Sequence, residues 1–165
     1  MLFEPRAADL DPVDLESALL RTAVGDYTAE AAILLLANAG HWLPALAAAD
    51  LISVESDEDP TAPPTGEVPG VGWAAITWTE LDGALRAGRI EGSSGQLRIL
   101  RAAASIADGQ PVDLGDVASG LDRRHLQLLL AAISHAGGSH EHRAFDSAGF
   151  PGDPLPPLAP WPARD

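Results

Sequence analysis

Proline decides where this chain can be helical. Between Pro151 and Pro162, six of twelve residues are proline. Each removes a backbone donor and clashes with the preceding turn, so the segment must be extended or polyproline II. A second such stretch spans 55–72. It opens on the acidic run Glu55-Ser56-Asp57-Glu58-Asp59-Pro60 and continues through Pro63, Pro64 and Pro69 with two glycines. Its few apolar side chains cannot offset the entropy of ordering it, so it reads as a loop or linker. Four parts follow: an acidic helical part at 1–54, the acidic and Pro-rich linker at 55–72, a second helical part at 73–138, and a tail at 139–165, first His/Gly-rich and then Pro-rich.

Within the two helical parts, start and stop signals alternate closely. Asp11-Pro12 supplies an N-cap and a first-turn proline, and Gly25 can end that helix, whose apolar stripe is Leu15, Leu19 and Ala18 or Ala23. Thr28 caps a second helix that runs to Asn38 or Ala39 before Gly40. Pro44 opens a third through Ala49. Leu51–Val54 either continues it or forms a strand, and periodicity does not decide between them. Thr77-Trp78-Thr79-Glu80 fits a capping box ahead of Leu81 and Leu85. Ser93-Ser94-Gly95-Gln96 fits another, opening a helix to Ala107. Asp113 caps a short helix ending near Gly120. Asp122 caps the last one, with Leu126, Leu129, Leu130 and Ile133 as its core stripe and Gly137-Gly138 as its end. The fold expected is all-α: a small bundle of about six short helices, with an acidic Pro-rich internal loop and a Pro-rich C-terminal tail. Aromatic residues make up only 5% of the chain, so Trp42, Trp73 and Trp78 stand out as core anchors.

Composition excludes several chemistries. The chain has no cysteine, and all ten basic residues are arginine. Disulfides, thiolate nucleophiles and Cys-ligated metals are out, as are a Walker A lysine and a Schiff-base amine. Gly92-Ser93-Ser94-Gly95 has the wrong spacing for a nucleophile elbow. No basic n-region with an apolar h-region opens the chain. Ala31–Ile52 approaches the length of a bilayer span but contains Asn38, His41, Pro44 and Asp50, which suits two short buried helices better. A cytoplasmic protein without a membrane segment is expected. Net charge is −14, with 13 acids and 2 arginines in residues 1–70 against 11 acids and 8 arginines in 71–165. The front part carries most of the negative charge.

Five constellations could carry function. The segment 113–130 has the outline of a helix–turn–helix, with Arg123, Arg124 and His125 at the start of the would-be recognition helix. Asp122 stands where such turns use glycine, Arg123 stands where they need an apolar residue, and the overall charge repels phosphate. Ser93 and Ser94 at a helix start, with Arg98 and Arg101 one turn on, could hold an anion, although a capping box accounts for the same serines. His135, His140 and His142, with Glu141 and Asp146 nearby, could ligate zinc or nickel in a small metal-dependent enzyme. The carboxylates of the acidic run lack the fixed, desolvated setting that acid–base catalysis needs. Pro154-x-x-Pro157 and Pro157-x-x-Pro160 could dock in an aromatic groove, or Trp161 could fold back on the chain's own core.

These readings favour a non-enzymatic, acidic interaction protein, an adaptor or regulator working by protein–protein contact. The expected partner is a protein with a basic surface, met through Glu55, Asp57, Glu58, Asp59 and Trp161. No cofactor is implied. DNA binding and the metal enzyme are the alternatives.

Overall fold

The computed structural model describes residues 5–56 and 71–164. In chain order its main elements are α1 (Pro12–Ala23), α2 (Tyr27–Ala39), α3 (Trp42–Ala48), β1 (Ile52–Ser56), β2 (Val71–Ile76), α4 (Leu81–Arg86), α5 (Ser94–Asp108), α6 (Leu114–Ser119), α7 (Arg123–Ala136), β3 (Arg143–Phe145) and β4 (Pro151–Pro154). Short 3₁₀ turns cover Ala7–Asp9, Trp78–Glu80 and Ser139–Glu141. Among the described residues the chain is mostly helical, at 57%, with seven α-helices; two small antiparallel sheets of two strands each make the expected all-α class approximate. No single helix among the described residues is long and apolar enough to cross a membrane.

The chain divides into two compact units that interleave in sequence. The first is Met1–Val24 with His41–Glu91, and the second is Gly25–Gly40 with Gly92–Asp165. This division differs from a sequential one at 55–72, because β1 and β2 pair with each other within the first unit.

In the first unit, Asp11 and Pro12 start α1 as their types require. Leu15, Ala18, Leu19 and Ala23 are buried on one face, and α1 packs on β2. His41 precedes α3 in a left-handed conformation (φ 68°), and its Nε2–H donates to the Glu91 carbonyl at 2.8 Å. Trp42 is fully buried, as expected of an anchor, with Leu43, Leu46 and Ala47 beside it. Leu51–Val54, open in the sequence, is largely strand. Its partner comes from beyond the acidic stretch, a non-local pairing that local periodicity does not register. Thr77 makes no side-chain capping bond, and the Trp78–Glu80 turn leads into α4 instead.

In the second unit, α2 packs against both α5 and α7, and α5 also meets α7. Ala31, Ala32, Ile33, Leu35 and Leu36 of α2 are buried, a breadth that suits a helix covered from two sides. Asp26 caps it in place of Thr28, accepting from the amides of Thr28 and Ala29. The α5 capping box forms as predicted. Ser93 Oγ accepts from Gln96 N, Gln96 Oε1 accepts from Ser93 N, and Gly109 ends the helix in the left-handed region. Asp113 and Asp122 cap α6 and α7. The expected α7 stripe is rotated: Leu128, Leu129, Ala131 and Ala132 are buried, while Leu130 and Ile133 are about half exposed. In an Ala-rich bundle the small residues take the close-packed side, so leucines alone misplace the face.

The tail is tied to its own unit. Leu158 N donates to Ser139 Oγ at 3.2 Å and Ala159 N to Ser134 Oγ at 3.0 Å. Arg164 Nε donates to Asn38 Oδ1 at 3.0 Å. Of the two readings of the Pro-rich segment, packing at home is the one observed.

Candidate functional site

The first unit's hairpin alternates along both strands. Ile52 is buried and Ser53 and Glu55 are exposed; on β2, Gly72 and Ala74 are buried while Trp73 and Ala75 are exposed. The register sets Glu55 opposite Trp73 and Ser53 opposite Ala75. Cross-strand partners point to the same side of a sheet, so these four residues share the outer face. Thr22 of α1 joins them, and together with Ala74 they line an open groove of about 440 Å³. Trp73 is 45% exposed, which corrects its expected role as a core anchor. Its alternation phase points it away from the side on which Ala74 is buried.

The groove is held by local bonds. Arg21 Nη1 donates to the Gly72 carbonyl at 2.5 Å, fixing β2 to α1. The Ser53 hydroxyl donates to Ala75 O, and that of Thr22 to Ala18 O, both at 3.4 Å. Each hydroxyl oxygen keeps acceptor capacity. A carboxylate, an indole face and two hydroxyl acceptors around an apolar floor form a surface suited to a cation carried on an apolar stem. The sequence singled out Glu55 but missed Thr22, Ser53 and the outward Trp73. The signal available was the alternation Val71-Gly72-Trp73-Ala74-Ala75-Ile76, weak because glycine and alanine blur the contrast between faces. Asp57, Glu58 and Asp59 lie outside the described residues.

The chain matches no family model, no curated protein and no solved structure.

The basic corner of the second unit is partly engaged inward. Arg124 Nη2 donates to the Asn38 carbonyl at 3.4 Å. Asp122 accepts from His125 twice, at the backbone amide (2.9 Å) and at ring Nδ1 (2.8 Å). Those bonds, the backbone one foremost, hold the Asp122 carboxyl below the usual carboxylate range. Arg123 is exposed. Of the three, it is the residue best placed to meet a phosphate.

The expected anion site is charge-compensated. Ser93 Oγ is spent in its capping box. Arg98 forms a two-pronged pair with Asp116, Nε to Oδ2 and Nη2 to Oδ1, both at 3.1 Å. Hydrogen bonding within the pair lowers the Asp116 pKa and raises that of Arg98. Ser94, Arg98 and Arg101 do line a common groove of about 470 Å³, but Asp113 and Asp116 line it too, which cancels much of its appeal for an anion.

Two of the three histidines pack together. His135 and His140 stack with centroids 4.3 Å apart, Tyr27 meets His140 edge-on at 4.8 Å, and Trp161 lies 6.2 Å from His135. His135 Nε2–H donates to Glu30 Oε2 at 2.9 Å. His142 is exposed. Among the described residues no group of three or more His, Asp or Glu side chains is arranged to hold a metal ion. Trp161, expected at a partner surface, is only partly exposed and sits on this cluster within its own unit. His140 Nδ1 and Trp161 Nε1 are buried there without a hydrogen-bond partner among the described residues.

Proposed function

We propose that this chain is an interaction protein, an adaptor or regulator that binds a basic surface of a protein partner. The observation that carries the reading is the exposed pairing of Glu55 with Trp73 in the hairpin groove. Exposed aromatic side chains are over-represented at the centres of protein interfaces, where they supply most of the binding energy. A negative surface of −14 net charge favours encounter with a positive one.

The test is affinity capture from the native cell at two salt concentrations, with the parent chain and with Glu55→Gln and Trp73→Leu. The expected result is a partner set that shrinks as salt rises and is lost with either variant, while circular dichroism of the variants matches the parent. The same partners captured by parent and variants alike, regardless of salt, would refute the reading.

A further inference from the structure

We propose that the groove between Trp73 and Glu55 receives an arginine side chain of the partner, making it a guanidinium-recognition site. The proposal rests on the reading that the chain binds a basic protein surface, and it names the group that is bound. Four observations combine. Trp73 offers an exposed indole, 45% accessible. Glu55 stands directly across the ladder on the same face. Thr22 and Ser53 add hydroxyl acceptors at the rim. Ala75, on that same face, carries only a methyl, which leaves room for an aliphatic stem; the groove, at about 440 Å³, is of the size that takes a side chain or small ligand.

Arginine fits this set better than lysine. A guanidinium is planar, so it can stack on the indole while its edge donates to a carboxylate and to hydroxyl oxygens in the same plane. It is also more weakly hydrated, which lowers the cost of leaving water. A lysine ammonium can meet the carboxylate or the ring, but its compact point charge does not satisfy both in one plane. Among the described residues the titratable neighbours are Glu55 and Arg21. Arg21 is turned to the Gly72 carbonyl at the strand backbone, and it is the like charge that an incoming guanidinium must avoid. The negative charge of the chain as a whole offsets it at long range.

The experiment uses the full chain and three blocked tripeptides, Gly-X-Gly, with X as arginine, lysine or citrulline. Binding is followed by the NMR signal of the Trp73 indole N–H, assigned by its disappearance in Trp73→Phe. The arginine peptide should shift that signal and bind roughly threefold to tenfold more tightly than the lysine peptide, with citrulline weaker still. Glu55→Gln should weaken the arginine peptide by roughly twofold to fivefold, and Thr22→Val by less. An unmoved Trp73 signal, equal binding of citrulline, or an unchanged Glu55→Gln variant overturns the assignment. The two readings fail separately. If cellular capture depends on Glu55 and Trp73 but the arginine peptide does not bind, only the guanidinium assignment falls. If the peptide binds at Trp73 but capture ignores both residues, the assignment holds and the broader function does not.

Discussion

Arg98 lies against the Cα of Gly120 so closely that a Cβ added there would sit 2.3 Å from the guanidinium carbon. The absence of a side chain at 120 is therefore what lets Arg98 cross from α5 to Asp116 on α6. Gly120 has an ordinary negative φ of −93°, so backbone freedom is not the reason for glycine here; close approach is. Gly120→Ala should displace the guanidinium, which is the flexible end of its side chain, with little change in melting temperature. The Asp116 carboxyl, held down chiefly by its bonds to Arg98, should rise toward the ordinary carboxylate range. Carboxyl NMR titration of parent and variant checks this, and identical Asp116 curves would refute it.

Asp122 sets a second expectation, in acid. Its folded-state pKa lies below the unfolded value of about 3.9, because the His125 amide and then the His125 ring bind the ionised form. The ionised cap therefore adds its full stabilisation above roughly pH 4 and loses it as the pH falls through the folded value. Asp26, capping α2 through Thr28 and Ala29, shifts in the same direction. Asp122→Asn keeps an acceptor for the amide but has no charge to lose. Its melting temperature should therefore fall less than the parent's between pH 5 and pH 3. Parallel curves would remove Asp122 from the acid response.

What could be read in advance depended on how far along the chain a residue's partner lies. Ser93 and Gln96 cap each other three residues apart, and that box was legible in every detail. Asp113 and Asp122 are local signals of the same kind, and each stands where a helix begins. Glu55 was visible as an acid. Trp73 reaches it only through strand pairing across the intervening stretch, so the groove had no local trace. On α7, Ala131 and Ala132 carry burial that apolar scales assign to Leu130 and Ile133, so leucine spacing alone misplaces the face. The serine anchors of the tail, Ser134 and Ser139, are small polar residues near a helix end, where the sequence offers many bland explanations.

Gly138 is a glycine for two reasons at once. Its φ is +71°, in the left-handed region, and an added Cβ would lie 3.2 Å from Cδ2 and Cε2 of Tyr27. Gly138→Ala should destabilise the second unit by about 1–3 kcal/mol, combining backbone strain with displacement of the tyrosine ring. Tyr27 also meets His140 edge-on, so the aromatic cluster should loosen. A double-mutant cycle separates the two costs. In a Tyr27→Ala background the alanine at 138 should cost only the backbone part, roughly 1 kcal/mol. A full penalty in both backgrounds would mean that the ring contact contributes nothing.

The tail's anchoring can be measured by removing it. Ser134 Oγ and Ser139 Oγ lie 2.6 Å apart in a buried pair, and they accept the amides of Ala159 and Leu158 respectively. Without residues 155–165 each hydroxyl loses an amide donor, the polar side chain of Asn38 loses Arg164, and His135 loses the indole of Trp161. Each lost hydrogen bond weighs roughly 1 kcal/mol, more where the remaining partner stays buried. Truncation after Pro154 should therefore lower stability by about 2–4 kcal/mol, a fall of roughly 5–15 °C in melting temperature for a chain of this size. Ser134→Ala with Ser139→Ala should recover part of that loss in the truncated chain, since it removes the hydroxyls that truncation leaves without amide donors. A truncated chain that melts with the parent would show that the strap is held too weakly to matter, and would return the Pro-rich segment to the surface as a free ligand for another protein.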